Sequence, residues 1–351
     1  MAWRHQNHPM DQLNAHIDRA WDRMAAGDLG AALRSAERAA ALAPDSPEVH
    51  NLLGYVLAAH GRFEEAIEHY KQAIELDESY VEAMLNAAEI MLHPLHDWDA
   101  AIEMIDQAIE WIEDDEELAD ALLLKAEALW GKGQREKALA TLRGIPQKHF
   151  ENSGIEFAIG RLWFELGDLD KAEHHLKRAV ELAPENGDAH YFLGLCYEQR
   201  KDRMGMILEF LKAREIDLNT PSGSRFWLSP RDLEERTREA IRKLPPQLAK
   251  VLDGALVIVV DLPGAEVVAE GVDPRIPLMV DGISEDGEAP RVGRVFIYRR
   301  NIERIGPTDE SDFLAQALME EIRAVFPELS QSDGKAGDNQ LMPYLQEKSG
   351  D

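Results

Sequence analysis

Apolar residues in the first two thirds of the chain recur at helical spacing, in blocks that are interrupted by a glycine. The segments "LLGYVLAAHGRFEEAIEHYKQAIELD" (52–77) and "AIGRLWFELGDLDKAEHHLKRAVELAP" (158–184) share one pattern although they lie far apart in the chain. In each, two stretches with apolar residues three and four positions apart flank a short turn. The pattern predicts a repeated unit of two helices joined by a tight turn.

Small residues recur at fixed positions of this repeated unit. The residue that opens the second helix recurs about every 34 residues and identifies six repeats. These residues are Ala32, Ala66, Ala101, Ala138, Ala172 and, less typically, Met206. Small residues where the first helix must pack closely are Gly54, Ala88, Ala126, Gly160 and Gly194. The turns carry Gly27, Gly61, Gly133 and Gly167. The fourth repeat leaves the pattern at "RGIPQKHFENSG".

In the spacing of these small residues and turn glycines, residues 12–220 resemble the tetratricopeptide repeat family. The resemblance implies an all-α solenoid whose first helices line a concave face, and a function in binding a peptide or protein segment. Carried over by register, the groove comprises Asn51, Tyr55, Asn86, Glu89, Glu127, Trp130, Arg161, Phe164, Tyr191 and Glu198.

The charges in this groove favour a basic partner. Some members of the family clamp a partner's terminal carboxylate with lysines and asparagines. Here Asn51 and Asn86 stand at suitable positions, but the lysines are missing, and Glu89 and Glu127 occupy acidic places. An acidic tail is therefore a poor ligand, and we expect a basic or aromatic-rich segment of a protein partner.

The histidines of the repeats are interpreted as structural residues. His174 and His175 are adjacent and do not share a helix face. The spacing in "HPLH" (93–96) suits a metal, but a proline stands between its two histidines. His50 and His190 occupy the same register position, so we expect them to pack between helices.

Beyond the repeats the hydrophobic period changes. The stretch "DLNTPSGSRFWLSP" (217–230) is rich in turn-forming residues and predicts a linker over residues 221–230. A helix follows, with Ser229 as its N-cap, Pro230 at its first position and Pro245 as its stop.

Two strands and a closing helix complete the predicted second domain. The continuous apolar run "ALVIVV" (255–260) predicts a buried strand, and the alternating "VGRVFIYRR" (292–300) predicts another. A closing helix is expected from about Asp309 to Phe326. The residues predicted to face the sheet from this helix are Leu314, Leu318, Ile322 and Val325.

Residues 231–327 resemble a small bacterial zincin-like metallopeptidase family, the minimal matrix-metalloprotease-like one. The similarity lies in "LPPQL" at a helix end, a buried strand running into "DLP", "LMVDGI" before a loop, and "GRVFIYRRNIER" as the edge strand. A final helix then ends where the family carries HExxHH followed by phenylalanine and glycine. The resemblance implies an α+β zincin-like domain over residues 231–328.

In that family two histidines bind zinc and the glutamate between them activates a bound water. Matched residue by residue, the first histidine falls on Glu320, the general-base glutamate on Glu321, and the second histidine on Ala324. The turning glycine falls on Pro327, and the third ligand's place falls on Ser330. The zinc-binding positions are therefore vestigial in this chain.

The second domain also lacks substitute ligands. All 12 histidines lie at or before His190, and the one cysteine is Cys196. Zinc prefers nitrogen and sulfur donors, so we predict no metal, no cofactor and no catalysis. The alternative is a zinc-dependent metallopeptidase whose repeats select substrates. A further reading takes "EEIRAV" as an ordinary amphipathic helix with solvated glutamates.

Composition narrows the partners. The formal net charge is −28, which repels nucleic acid and anionic membranes; solubility alone is the alternative reason for such charge. The single cysteine and the start "MAWRHQNHPMDQLN" favour a cytoplasmic location. Residues 1–11 are expected to form an arm, and residues 329–351 a disordered acidic tail. The sequence does not fix an oligomeric state.

Overall fold

The structure is a computed structural model that describes residues 9–146, 148–220, 229–284, 289–305, 310–327 and 329. These residues divide into two compact units, one up to Leu166 and the other from Gly167. Most of the predicted arm (1–8), most of the predicted linker (221–228) and the predicted tail from residue 330 lie outside the described residues.

Six helix pairs occupy the described part of the repeat region, as the spacing predicts. Their first helices are α1 (Pro9–Ala25), α3 (Pro47–Ala59), α5 (Val81–Leu92), α7 (Asp115–Gly131), α9 (Ser153–Glu165) and α11 (Gly187–Gln199). Their second helices are α2 (Leu29–Leu42), α4 (Phe63–Leu76), α6 (Trp98–Ile109), α8 (Arg135–Arg143), α10 (Leu169–Leu182) and α12 (Arg203–Asn219). Side-chain caps such as Asp28 and Ser46 satisfy backbone N–H groups where the helices begin.

The small residues bring the two helices of a repeat together. Gly54 faces the buried ring of Tyr70, and a Cβ at Gly54 would lie 2.6 Å from the ring carbon Cε1. Gly194 faces a phenylalanine ring in the same way. Where the first helix carries Ala88 instead, the buried partner is the aliphatic Ile105. The size of the first-helix residue therefore matches the size of the side chain opposite it.

The turns inside the repeats need a left-handed backbone. The four predicted turn glycines, Gly27, Gly61, Gly133 and Gly167, have φ between 71° and 84°, which glycine adopts at little cost. The third and sixth repeats lack a glycine there. His96 (φ 52°) and Lys201 (φ 61°) take the same conformation instead.

His50 and His190 both act as packing residues, as their shared register predicts. Nε2 of His50 lies 2.8 Å from the carbonyl oxygen of Pro44. Nε2 of His190 lies 3.1 Å from the carbonyl oxygen of Pro184. Each histidine thus holds the end of the preceding repeat against its own helix.

The second compact unit continues beyond the repeats into a small α+β region. Its described elements are α13 (Pro230–Lys243), α14 (Pro246–Val251), β1 (Leu256–Val260), α15 (Ala265–Ala269), β2 (Leu278–Asp281), β3 (Arg294–Tyr298), α16 (Arg299–Ile305) and α17 (Glu310–Val325). The hydroxyl of Ser229 caps α13 by accepting from the N–H of Asp232 at 3.1 Å, and Pro230 is the first residue of that helix. Both predictions are confirmed.

The three strands form one sheet in the order β1-β3-β2. β1 runs parallel to β3, with Leu256 opposite Arg294. β2 runs antiparallel to β3, with Leu278 opposite Ile297.

Two expectations about these strands are wrong. The run 255–260, predicted as a buried strand, contains an edge strand in which the Leu256 side chain is 64% exposed. The segment "GRVFIYRRNIER", predicted as the edge strand, supplies the central strand and then turns into α16. Hydrophobic pattern reports which faces are apolar, but it carries no information about how many neighbours a strand pairs with.

The closing helix α17 agrees with its predicted stripe. Leu314, Leu318 and Ile322 are fully buried, while Val325 is half-buried. The helix packs against α13 and β2. It therefore covers the antiparallel side of the sheet, and α13 is the element that packs against β1.

Candidate binding face

The first helices of the first compact unit contact one another in chain order, α1 with α3, α3 with α5, α5 with α7, and α7 with α9. We call the surface that they share the first-helix face. One row on this face holds the residue that follows the small packing residue of each helix. The row is Trp21, Tyr55, Glu89, Glu127 and Arg161. Along the chain it changes from aromatic to acidic and ends in a cation.

The aromatic end of this row is open to solvent. The rings of Trp21 and Tyr55 lie 5.0 Å apart between centroids and are tilted by 56°. The two side chains are 39% and 43% exposed. Burial raises the pKa of the Tyr70 phenol, and the nearby Glu89, Tyr55 and Glu82 raise it further. The carboxylates of Glu89 and Glu82 therefore lie close to Tyr70, which belongs to the same repeat as Tyr55.

The two asparagines predicted for the groove bind each other. Nδ2 of Asn86 donates to Oδ1 of Asn51 at 3.2 Å, and Nδ2 of Asn51 donates to Oε1 of Glu82 at 3.0 Å. Asn51 is buried. The chain of hydrogen bonds links two neighbouring repeats, so it stabilises the face while leaving Asn51 little capacity for a ligand.

The acidic residues of the row differ in their partners. Glu127 is paired with Arg161, which also donates to Oε1 of Glu165 at 2.8 Å. Nε2 of His93 lies 3.7 Å from the same Glu127 carboxylate. Glu89 is exposed and has no ion-pair partner among the described residues. Glu89 is therefore available to a cation, whereas Glu127 is already neutralised.

The other predicted aromatic residues are less accessible. Trp130 is half-buried, and Phe164 and Tyr191 are buried. Phe164 thus contributes mainly to the interior of its repeat. Exposed aromatic surface at the predicted positions is concentrated at Tyr55.

Tyr191, in the second compact unit, is occupied by the chain itself. Its hydroxyl donates to Oδ2 of Asp273 at 2.9 Å. The guanidinium carbon of Arg275 lies 4.4 Å from the centroid of the Tyr191 ring. NH1 of Arg275 lies 2.7 Å from the carboxylate of Asp188, and its Nε lies 3.0 Å from that of Asp217. A buried arginine is therefore held between one aromatic face and two carboxylates.

Further arginines join the last repeat to the α+β region. Arg304 lies 2.8 Å from the carboxylate of Asp217. Arg300 donates to three backbone carbonyls at the end of α12, among them that of Asp217 at 2.6 Å. The pKa of Glu198 is raised by desolvation and by the nearby Asp273. The predicted groove residues of this repeat consequently face the chain's own segment around Asp273.

The predicted vestigial zinc positions lie at the end of α17. Glu321 is partly buried, and its carboxylate accepts a hydrogen bond from the N–H of Val280 at 3.3 Å. Burial raises the pKa of Glu321. Glu320 accepts from Nε2 of Gln316 on the same helix at 3.0 Å, and Ala324 is exposed. Glu321 thus joins the helix to strand β2 through a backbone N–H group at the sheet edge.

The described residues carry neither a side-chain cluster suited to a metal ion nor a helix suited to spanning a membrane. Within the described ranges, no group of three or more His, Cys, Asp or Glu side chains is arranged so that it could hold a metal ion. No helix in the described part of the chain has the length and apolar character needed to span a membrane. Pro327 is exposed, and Ser330 lies outside the described residues.

The prediction of the groove omitted Trp21 and Glu82. Trp21 stands one repeat before Tyr55, and the fully buried Ala20 stands one repeat before Gly54. Extending the register into the first repeat would have found Trp21. Glu82 lies on α5 but contacts Asn51 on α3, and one sequence carries no signal for such a pairing between helices.

Comparison with known families identifies the repeats. One model described as tetratricopeptide repeat matches residues 17–89 and 157–202. Two others with the same description match residues 57–122 and 119–143. The helix pairs over these residues are tetratricopeptide repeats, which confirms that part of the predicted fold.

Two curated proteins with similar sequences match part of this chain. The human "Superkiller complex protein 3" is 29% identical over 128 residues, which are 35% of this chain and 8% of that protein. The mouse "DnaJ homolog subfamily C member 3" is 25% identical over 197 residues, 52% of this chain and 38% of that protein. This chain therefore spans well under half the length of either relative.

Solved structures support the same fold. PilF of Pseudomonas aeruginosa aligns with a TM-score of 0.51 and 12% identity, covering 60% of this chain and 95% of that one. PilW, a type IV pilus biogenesis factor, aligns with a TM-score of 0.51 and 15% identity over the same shares of the two chains. At these identities the likeness shows the helical repeat fold alone.

Proposed function

We propose that this protein is a non-catalytic scaffold or adaptor whose repeats bind a basic or aromatic-rich segment of a protein partner along the first-helix face. Tetratricopeptide repeat proteins generally mediate protein–protein interactions, and the repeats are matched by family models. The observation that carries the proposal is the open end of the face. There the exposed rings of Trp21 and Tyr55 precede Glu89, which has no ion-pair partner in the described part of the chain.

The composition supports the choice of a basic partner. The chain carries 66 acidic against 38 basic residues, and charge of this sign attracts basic segments while it repels nucleic acid and anionic membranes. A reducing compartment such as the cytoplasm suits a chain whose single cysteine is buried.

We expect a labelled lysine-rich peptide to bind the full-length protein and to bind less tightly as salt is added. Added salt shortens the screening length to about 8–10 Å near physiological ionic strength and weakens exposed charge pairs. Fluorescence anisotropy at several salt concentrations measures the effect, with an acidic peptide of equal length as the control. Binding that strengthens with salt, or equal binding of the acidic peptide, contradicts the proposal.

The region 231–328 is proposed as a degenerate zincin-like domain that serves as a second docking module. Its support is the order of the motifs together with the absence of histidine and cysteine beyond Cys196. The carboxylate at the general-base position, Glu321, is engaged by the N–H of Val280. A general base needs an activated water to deprotonate, and this donor set is unsuited to zinc.

The zinc content of the dialysed protein tests this second part. We expect elemental analysis to find far less than one zinc per chain and no cleavage of an unstructured protein such as casein. One equivalent of zinc that disappears in Glu320→Gln, together with casein cleavage that disappears in Glu321→Gln, would establish the metallopeptidase alternative instead.

A further inference from the structure

The second compact unit contains a complete arginine-binding arrangement made by the chain itself. The guanidinium of Arg275 lies over the Tyr191 ring at 4.4 Å, and the carboxylates of Asp188 and Asp217 lie 2.7 and 3.0 Å from its nitrogens. Tyr191 projects from α11, the first helix of the last repeat. Tyr191 is therefore one first-helix aromatic residue of this chain that binds an arginine beside two carboxylates.

This chemistry separates arginine from lysine. The planar guanidinium stacks on an aromatic face and still directs several N–H groups at carboxylates in its own plane. A lysine ammonium is compact and strongly hydrated, and it bonds as a point charge. A site built from a ring and a carboxylate thus favours arginine, whereas a purely acidic surface accepts both cations.

The first compact unit contains the same components without an arginine in place. Trp21 and Tyr55 expose a pair of rings on neighbouring first helices. The next residue in the row, Glu89, is exposed and has no cation partner within the described residues. Where the chain does provide a cation on this face, Arg161, the neighbouring Glu127 is already paired with it.

We propose that the Trp21–Tyr55 pair on the first-helix face binds an arginine side chain of the partner segment, with Glu89 as its carboxylate. The inference rests on the proposed function, because it specifies the chemistry of a segment that the face must first bind. The occupant is an extended, arginine-bearing protein segment. A lysine-bearing segment uses the charge of the face but gains less from the rings, because a hydrated ammonium does not stack on them as a planar guanidinium does.

Three labelled peptides of one glycine–serine sequence test the proposal. They carry three arginines, three lysines or three uncharged citrullines at the same positions. We expect the arginine peptide to bind the full-length protein about 3- to 10-fold more tightly than the lysine peptide. The citrulline peptide, which keeps the planar group without the charge, should bind most weakly.

Two variants locate the preference. Trp21→Leu with Tyr55→Leu should lower the affinity for the arginine peptide to that for the lysine peptide, with the lysine peptide little affected. Trp111→Leu, which removes an exposed ring that follows α6, should leave both affinities unchanged. Glu89→Gln, a surface change that keeps the fold, should weaken the arginine and lysine peptides together.

The outcomes separate this inference from the proposed function. Equal binding of the arginine and lysine peptides overturns the arginine site and leaves a basic-segment scaffold in place. An arginine preference that survives in the aromatic double variant also overturns the site. If neither cationic peptide binds, the arginine site and the basic-segment form of the proposed function are both wrong.

Discussion

Gly54 is a residue at which local helix propensity and packing oppose each other. Alanine is favoured over glycine inside a helix by about 0.5–1 kcal/mol. A Cβ at this position would lie within 3 Å of three carbons of the Tyr70 ring, which is fully buried and cannot move away. We expect Gly54→Ala to destabilise the first compact unit by about 1–3 kcal/mol, the usual effect of overpacking. Hydrogen exchange of the α3 and α4 amides measures the change.

A matched control and a rescue make this prediction specific. Gly30→Ala in α2 meets only the flexible end of Arg34 at 3.5 Å, so it should be neutral or slightly stabilising. Tyr70→Ile added to Gly54→Ala recreates the pairing seen between Ala88 and Ile105 and should recover part of the loss. Equal effects of the two glycine substitutions would show that the ring is not the cause.

At the scale of elements, the repeats could be predicted because their signals are local. Helical period, a small residue at each close approach and a glycine in the turn all lie within one repeat, and each is repeated along the chain. Even the two turns without glycine kept the left-handed geometry, at His96 and Lys201. The order of the strands could not be obtained in this way, since pairing joins segments far apart. The edge position of β1 was missed for that reason.

The same limit applies to the candidate site. The register located Tyr55 and Glu89 on the first-helix face, but the engagement of Tyr191 by Arg275 depends on a segment more than eighty residues later. The pairing of Glu127 with Arg161 likewise joins two repeats. Which predicted residues remain open to a partner is therefore a property of the folded chain and not of any single motif.

The contact between α17 and β2 leads to a prediction about pH. Burial raises the pKa of Glu321 above its ordinary value of 4.5, although the N–H of Val280 lowers it in part. A raised folded-state pKa means that the protonated form is favoured by folding, so stability is lost as the pH rises through that value. Glu321→Gln keeps the acceptor for Val280 and removes the charge. We expect this variant to be more stable than the wild type at neutral pH.

The advantage of Glu321→Gln should shrink as the pH falls through the raised folded-state pKa, and it should be lost below the ordinary value of 4.5, where the carboxyl is protonated in both the folded and the unfolded state. Thermal melts across this pH interval, compared with Glu320→Gln on the same helix, measure it. The control removes a carboxylate that accepts a hydrogen bond from Gln316 on the same helix. A loss of stability in Glu321→Gln at neutral pH would mean that the ionised carboxylate has a favourable role that burial does not explain.

At the scale of the whole molecule, the sequence and the structure divide the chain at different points. The change of hydrophobic period favours a boundary at residues 221–230, between the repeats and the α+β region. The structure instead has a compact unit that begins at Gly167 and contains the last repeat together with that region. Arg275, nearly buried beside Asp217 and Asp188, joins the two parts. We therefore propose that the last repeat folds cooperatively with the α+β region.

Arg275→Met tests this cooperation. Removing one partner of a buried ion pair destabilises by about 3–5 kcal/mol, and we expect the lower end because Arg304 still pairs with Asp217. Arg231→Met removes an exposed pair with Glu235 and should change stability by less than about 0.5 kcal/mol.

In the wild type, the slowest amides of α11 and β3 should exchange with one opening free energy. In Arg275→Met the opening free energy of the α11 amides should become lower than that of the β3 amides, because the last repeat is then held mainly by its own helices. If the α11 and β3 amides of the wild type already exchange with different opening free energies, the folding boundary lies at the linker, as the hydrophobic pattern alone suggests.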